Sequence, residues 1–213
     1  MTRNLKLMEI EYTPYGSDVF IPTLRAVPSW YKRMPKEFEN EPTVKQCMPF
    51  LDSITLGYCI TAPMDIIVKR KNGIASVLGH PIVGIRKTNQ IGEMSIPAGC
   101  DNTHFVWDTP VSLQVPEDYS IIFTHPLNRF DLPFVTVSAV VDGGFVLDGG
   151  SVPFFLKSDF EGTILKGTPI IQVIPFKRDN WVSKEVPENN FGLRGELPNG
   201  WYKHNRWHKK SYK

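Results

Sequence analysis

Between Thr43 and Arg178 no segment repeats its apolar residues at helical period. That absence narrows the fold more than any other feature of the chain. Short β-branched and aromatic runs stand there instead: SITLGYCI (53–60), MDIIVKR (64–70), IASVLG (74–79), PIVGIRK (81–87), HFVWD, VSLQV, YSIIFTH, FVTVSAVVD, SVPFFLK and PIIQVIPFK. Turn residues separate them, including Asn72-Gly73, Asp142-Gly143-Gly144 and Asp148-Gly149-Gly150. Asn-Gly is the strongest short hairpin signal, because both residues tolerate positive φ. The 16 Gly and 18 Pro of the 213 residues favour frequent turns over long helices. Ten or more short strands on short loops predict an all-β fold, a sandwich or jelly-roll-like barrel.

The flanks read differently. VPSWYKRMPKEFEN (27–40) is the best helical candidate, with Ser29 as its cap and Pro35 limiting its length. Residues 1–42 are therefore expected to form an N-terminal arm with a short helix, 43–178 the β domain, and 179–213 an irregular C-terminal arm. Within the domain, Gly167–Phe176 is expected to be a buried central strand. At period two, Ile170, Gln172 and Ile174 fall on one side and Ile171, Val173 and Pro175 on the other, so both sides need cover.

Charge is unevenly placed. The net charge is +2, yet WYKHNRWHKKSYK (201–213) holds five Lys/Arg and no acid, which leaves −3 on the preceding residues. Docking of Trp201, Tyr202, Trp207 and Tyr212 on a neighbouring subunit or on the domain, with the cations in water, is the simpler reading. Gripping phosphates and stacking on bases is the alternative.

Several function classes are excluded by the same text. Hydrophobic residues at 41% and charged ones at 22% are globular values, not those of a disordered chain. No run approaches the ~20 apolar residues of a membrane span, and Glu9 and Glu11 break any signal peptide. A soluble protein that is not secreted and has no membrane partner is expected. Three cysteines, at 47, 59 and 100, without a CxxC, argue against a disulfide framework or thiolate zinc. Each is expected to be a small buried hydrophobe. His80, His104 and His125 lack metal-ligand spacing. No Walker loop, Rossmann fingerprint or Gly-x-Ser-x-Gly elbow is present.

Three segments in order carry a family resemblance. Leu56-Gly57-Tyr58-Cys59-Ile60 looks like the opening strand of the dUTPase and dCTP deaminase superfamily, the β-clip fold. Val141-Asp142-Gly143-Gly144-Phe145 is similar to its Asp turn, and Gly167-Thr168-Pro169-Ile170-Ile171-Gln172-Val173 to its Gly-x-x-Ile-x-Gln strand. The resemblance spans about residues 53–178. A closer likeness, carried by TVKQCMPFLDSITLGYCI, EDYSIIFTHPLNR and GTPIIQVIPFKR, is to an uncharacterised family of bacteria and tailed phages.

The resemblance implies roles residue by residue. Asp142 matches the water-activating Asp, Phe145 the aromatic that packs on deoxyribose, and Gln172 the strand Gln. Asn128 and Arg129 stand where a serine-bearing phosphate segment is expected, and Gly57 and Tyr58 lie in the opening motif. Cys59 replaces the acid of that motif, the serine is missing, and no catalytic Glu flanks the Asp turn. In the bland readings Asp142 is an Asx-turn residue and Gln172 a strand amide bonding backbone. Two functions are thus held against each other. The first is a non-catalytic oligomeric structural or assembly protein of a tailed phage, a homotrimer by analogy with the fold, touching other virion proteins and needing no cofactor. The second is a nucleotide-handling protein, a divergent hydrolase using Mg or a sequestering binder.

Overall fold

The structure is a computed structural model describing residues 8–14, 16, 18–78, 81–86, 92–109, 111–144, 150–186 and 200–213. Sixteen strands and three short α-helices are present among them. The all-β expectation holds. Among the described residues the strands form separate ladders, as in a sandwich or jelly roll, rather than one closed barrel.

One ladder has five strands, in the order β13 (Ala139–Asp142), β11 (Tyr119–Thr124), β16 (Pro169–Lys177), β5 (Tyr58–Thr61), β2 (Phe20–Pro22). A second has four, β12 (Phe134–Thr136), β14 (Ser151–Lys157), β9 (Cys100–Asp108), β8 (Val83–Ile85). The chain therefore leaves the first sheet after β11, lays β12 in the second, and returns as β13. β15 (Gly162–Ile164), β6 (Ile66–Lys71) and β7 (Ile74–Val77) make a third ladder. β1 (Glu11–Pro14) pairs with β10 (Val111–Gln114), and β3 (Glu37–Phe38) with β4 (Glu41–Pro42). The segment read as an N-terminal arm thus supplies one edge of the five-stranded sheet.

β16 lies in the middle of that sheet, and Ile170, Ile171 and Val173 are all fully buried, so both its faces are covered. The other side of the core is aromatic. Trp107 stacks on Phe154 at 3.6 Å and meets Phe134 edge-on at 5.1 Å. A buried ring of this size removes 150–250 Å² from water, about 4–6 kcal/mol gross. The Trp107 Nε1–H cannot stay unpaired in such a place. It donates to Thr136 Oγ1 at 3.1 Å, and that hydroxyl donates to the Ile170 carbonyl at 2.8 Å. This chain of two hydrogen bonds crosses the core from one sheet to the other.

Asn72-Gly73 forms the expected hairpin between β6 and β7, with φ of 52° and 77°, the two positive values a primed turn needs. The helix expected over 27–40 shrinks to α1 (Ser29–Arg33). Pro35 explains its end, because the residue before a proline is pushed out of the helical region. Ser29 is the first helical residue and not its cap, a position Pro28 takes. α2 (Met48–Ser53) contradicts the strand expected from residue 53, so β5 begins only at Tyr58. Cys59 is buried, but Cys47 is exposed and Cys100 only partly covered.

Candidate functional site

Five of the seven residues singled out in sequence converge on one end of the five-stranded sheet. Gln172 is fully buried on β16. Its Oε1 accepts from Leu127 N at 2.8 Å, and its Nε2 donates to the Leu56 and Ser53 carbonyls at 2.7 and 3.1 Å. One amide thus ties the end of α2, the entry to β5 and the 125–132 loop together. Gly57 sits beside it with φ +69°, and a Cβ there would lie 2.2 Å from the Val173 carbonyl oxygen. Only glycine fits that approach. Tyr58 stacks on Phe20 at 4.9 Å and meets Tyr212 edge-on at 5.7 Å, and burial pushes its phenol above the usual value.

The 125–132 loop, HPLNRFDL, is held at many points. Asn128 adopts φ 59° and donates its Nδ2–H to Ser53 Oγ at 2.7 Å. Arg129 sends Nε and Nη2 to the two oxygens of Asp131, both at 2.9 Å, and Nη1 to the Ala26 carbonyl at 3.3 Å. Trp30 adds an indole bond to Asp131 at 3.4 Å. Burial works to raise the Asp131 carboxyl, but Arg129 and Trp30 outweigh it and hold it below the usual range. His125 accepts from Thr136 N at Nδ1 and donates from Nε2 to the Arg129 carbonyl. Burial depresses its pKa.

This arrangement has chemical consequences. The two-pronged edge of Arg129 that would clamp a phosphate is closed by Asp131. The amide of Gln172 has no spare donor, since both its N–H groups are engaged. Cys59, for which the sequence resemblance implied an acid, is buried with its thiol pushed up to about 11 and so is no carboxylate substitute. The cleft at this end, lined by Thr23, Pro28, Ile54, Leu127 and Arg129 among others, has a cavity volume of ≈ 10 Å³, about the room of one water. That is below the 300–1,000 Å³ of ordinary ligand sites.

Asp142 does not join this group within one chain. In the register of β11 it pairs with Ser120, whereas Gln172 pairs with Thr124. Four residues separate these positions, about 14 Å along the strand. Its carboxylate accepts from Ser120 Oγ at 2.7 Å and pairs with Arg178 at 3.3 Å, and its side chain is 63% exposed. Phe145 lies outside the described residues. No group of three or more His, Cys, Asp or Glu able to hold a metal ion exists among the described residues. A larger cleft of ≈ 140 Å³ lies beside Val141 and is lined by Val111, Leu113, Phe123, Val152 and Pro153 with few polar groups.

Sequence reasoning missed Ser53, Asp131 and Trp30, which complete the converged end. It also missed Asp52, which receives the C-terminal arm. Trp207 Nε1 lies 3.0 Å from both Asp52 oxygens, and Lys210 Nζ lies 2.5 Å from one of them. No signal in the chain marks these pairs, which are 155 and 158 residues apart.

No protein-family model matches the chain, and no curated protein does. Among solved structures, the dUTPase of phage phi11 of S. aureus is similar at 12% identity and a TM-score of 0.38, over 84% of this chain and 97% of that chain. A dUTPase variant of Staphylococcus bacteriophage 80alpha is similar at 13% identity, a TM-score of 0.38 and the same coverages. Another 80alpha dUTPase variant, with dUpNHpp, is similar at 15% identity and a TM-score of 0.36, over 88% of this chain and 92% of that chain. The chain is thus similar to phage dUTPases in outline, at an identity that assigns none of its residues a role.

Proposed function

We propose that this chain is a non-catalytic, oligomeric structural or assembly protein of a tailed phage. One observation carries the reading: the residues expected to hold a nucleotide are engaged in holding the fold. Gln172 braces three segments, Arg129 is closed on Asp131, and Asp142 stands at the far end of β11. The tailed-phage assignment rests on the sequence likeness of the 43–60, 117–129 and 167–178 segments.

Oligomerisation is supported by apolar surface that this chain leaves open. Trp181 and Val182 are 89% and 92% exposed. Among the described residues β13 is an edge strand, paired on one side only, with Val140 facing water. Such an edge is a template for another chain, and the apolar cleft of ≈ 140 Å³ adjoins it. A homotrimer of about 73 kDa, three times 24.2 kDa, is the expected assembly.

The test is pyrophosphate release from dUTP and dCTP with magnesium, run on wild type and Asp142→Asn, with light scattering in parallel. No turnover and a stable oligomer are expected. The exposed Asp142 carboxylate is the one observation favouring a nucleotide-handling protein, because a neighbouring copy could complete a site around it. Turnover abolished in Asp142→Asn would establish that second reading, and nucleotide binding without turnover would make the protein a sequestering one. A particle of 24 kDa at micromolar concentration would remove the oligomer.

A further inference from the structure

The C-terminal arm separates its aromatic residues from its cations. α3 (Trp201–Asn205) is followed by a run without regular secondary structure to Lys213. Trp207 is fixed by its Nε1–H, which is shared between the two carboxylate oxygens of Asp52. Tyr212 packs edge-on against Tyr58, whose hydroxyl donates to the Lys213 carbonyl at 3.4 Å. Burial pushes the Tyr212 phenol up, as expected of a seated ring. The aromatics therefore act as pegs.

The cations take no part in this anchoring, Lys210 excepted. Lys203, Arg206, Lys209 and Lys213 are all exposed. Among the described residues none of the four has an acid partner; Arg206 lies over the Trp201 ring, 5.7 Å from its centroid. Asp52, the acid on which the strip is seated, is occupied by Trp207 and Lys210. The rest of the chain carries −3, so this strip is a local feature and not a sample of a basic protein. An unanchored basic tail would lose conformational entropy on binding, whereas a pegged strip has already lost it. Four cations without an acid partner among the described residues, on a fixed backbone beside the half-exposed ring of Tyr202, suit a repeating anion.

We infer that residues 201–213 form a preorganised binding strip for the phosphodiester backbone of nucleic acid, read without sequence preference. This is independent of whether the converged end of the sheet handles nucleotides. Four neutralised phosphates give a slope of log K against log salt of about −2.8 for single strands and about −3.6 for duplex. Affinity should then fall about 50-fold and about 150-fold, respectively, between 50 and 200 mM salt.

The experiment is fluorescence anisotropy of labelled 20-nucleotide single strands and duplexes of mixed sequence with the full chain. One variant replaces Lys203, Arg206, Lys209 and Lys213 by Gln, which leaves Trp207, Tyr212 and Lys210 in place. Binding by wild type at 50 mM salt, lost at least 30-fold in this variant, is expected. Trp207→Ala keeps every charge and should weaken binding several-fold, because the strip is no longer pegged. The strip is refuted if wild type does not bind either probe at 50 mM salt, or if the fourfold variant binds within twofold of wild type. Salt-dependent self-association lost in the fourfold variant, without nucleic-acid binding, would assign the strip to the acidic body of another copy and overturn the inference.

Discussion

Replacing Gln172 by Leu separates a bracing role from a ligand role. The change keeps an unbranched Cβ and similar bulk, but leaves Leu127 N, Ser53 O and Leu56 O without their partner. A buried polar group stripped of its bond costs about 1–3 kcal/mol. Partial relaxation towards the nearby cleft reduces this, so three groups give a loss of about 3–5 kcal/mol. For a chain of this size that is a fall in Tm of about 6–20 °C, read by thermal melts at one fixed protein concentration. Gln172→Glu adds a second reading. A carboxylate would accept from Leu127 N but face two carbonyl oxygens, so folding raises its pKa above the unfolded ~4.3. A raised acid binds more protons in the folded state, so its stability falls as pH rises. The deficit of the Glu variant relative to wild type should therefore shrink as the pH is lowered from 7 towards 5. A Leu variant within about 1 kcal/mol of wild type would refute the bracing argument.

Gly57→Ala should give no soluble protein, or one melting at least 10 °C lower, because its Cβ meets the Val173 carbonyl and its φ is +69°; expression and thermal melts check this. Arg70 donates to Asp101 twice and to the Lys157, Phe160 and Gly73 carbonyls. Arg70→Ala should cost about 3–5 kcal/mol in urea denaturation, and Arg70→Lys should recover little of it, since an ammonium lacks the planar fork. Burial lowers the pKa of His125 in the folded chain, so the unfolded chain binds more protons below its ordinary ~6.5 and stability falls as pH drops from 7.5 to 5.5. That slope should flatten in His125→Gln, measured by Tm against pH over this window.

The strand content was legible because each run declares itself over four to nine residues. β16 could be placed at the centre from its two apolar faces, and the β6–β7 hairpin from Asn72-Gly73 alone. α2 was not legible, since six residues make less than two turns and show no period. The converged end was half legible. Gly57, Asn128, Arg129 and Gln172 were picked by resemblance, but their partners Ser53, Leu127 and Asp131 meet them through sheet register and loop closure, which no local pattern encodes. Asp142 shows the converse. It is only thirteen residues after Arg129, yet the detour through β12 into the second sheet returns it to the opposite end of β11.

The central place of β16 also bears on how the chain is made. It is the last described strand, while both its neighbours, β5 and β11, are synthesised long before it. On a ribosome adding 5–20 residues per second, about 50 residues from the end of β11 to that of β16 keep two apolar strands waiting for roughly 2–10 s. During that interval their inner edges have no partner from their own chain. Non-local pairing of this kind is slow in any case, on the scale of milliseconds to seconds. A nascent chain arrested near residue 160 should accordingly engage holding chaperones strongly, and one arrested after residue 186 has emerged should release them.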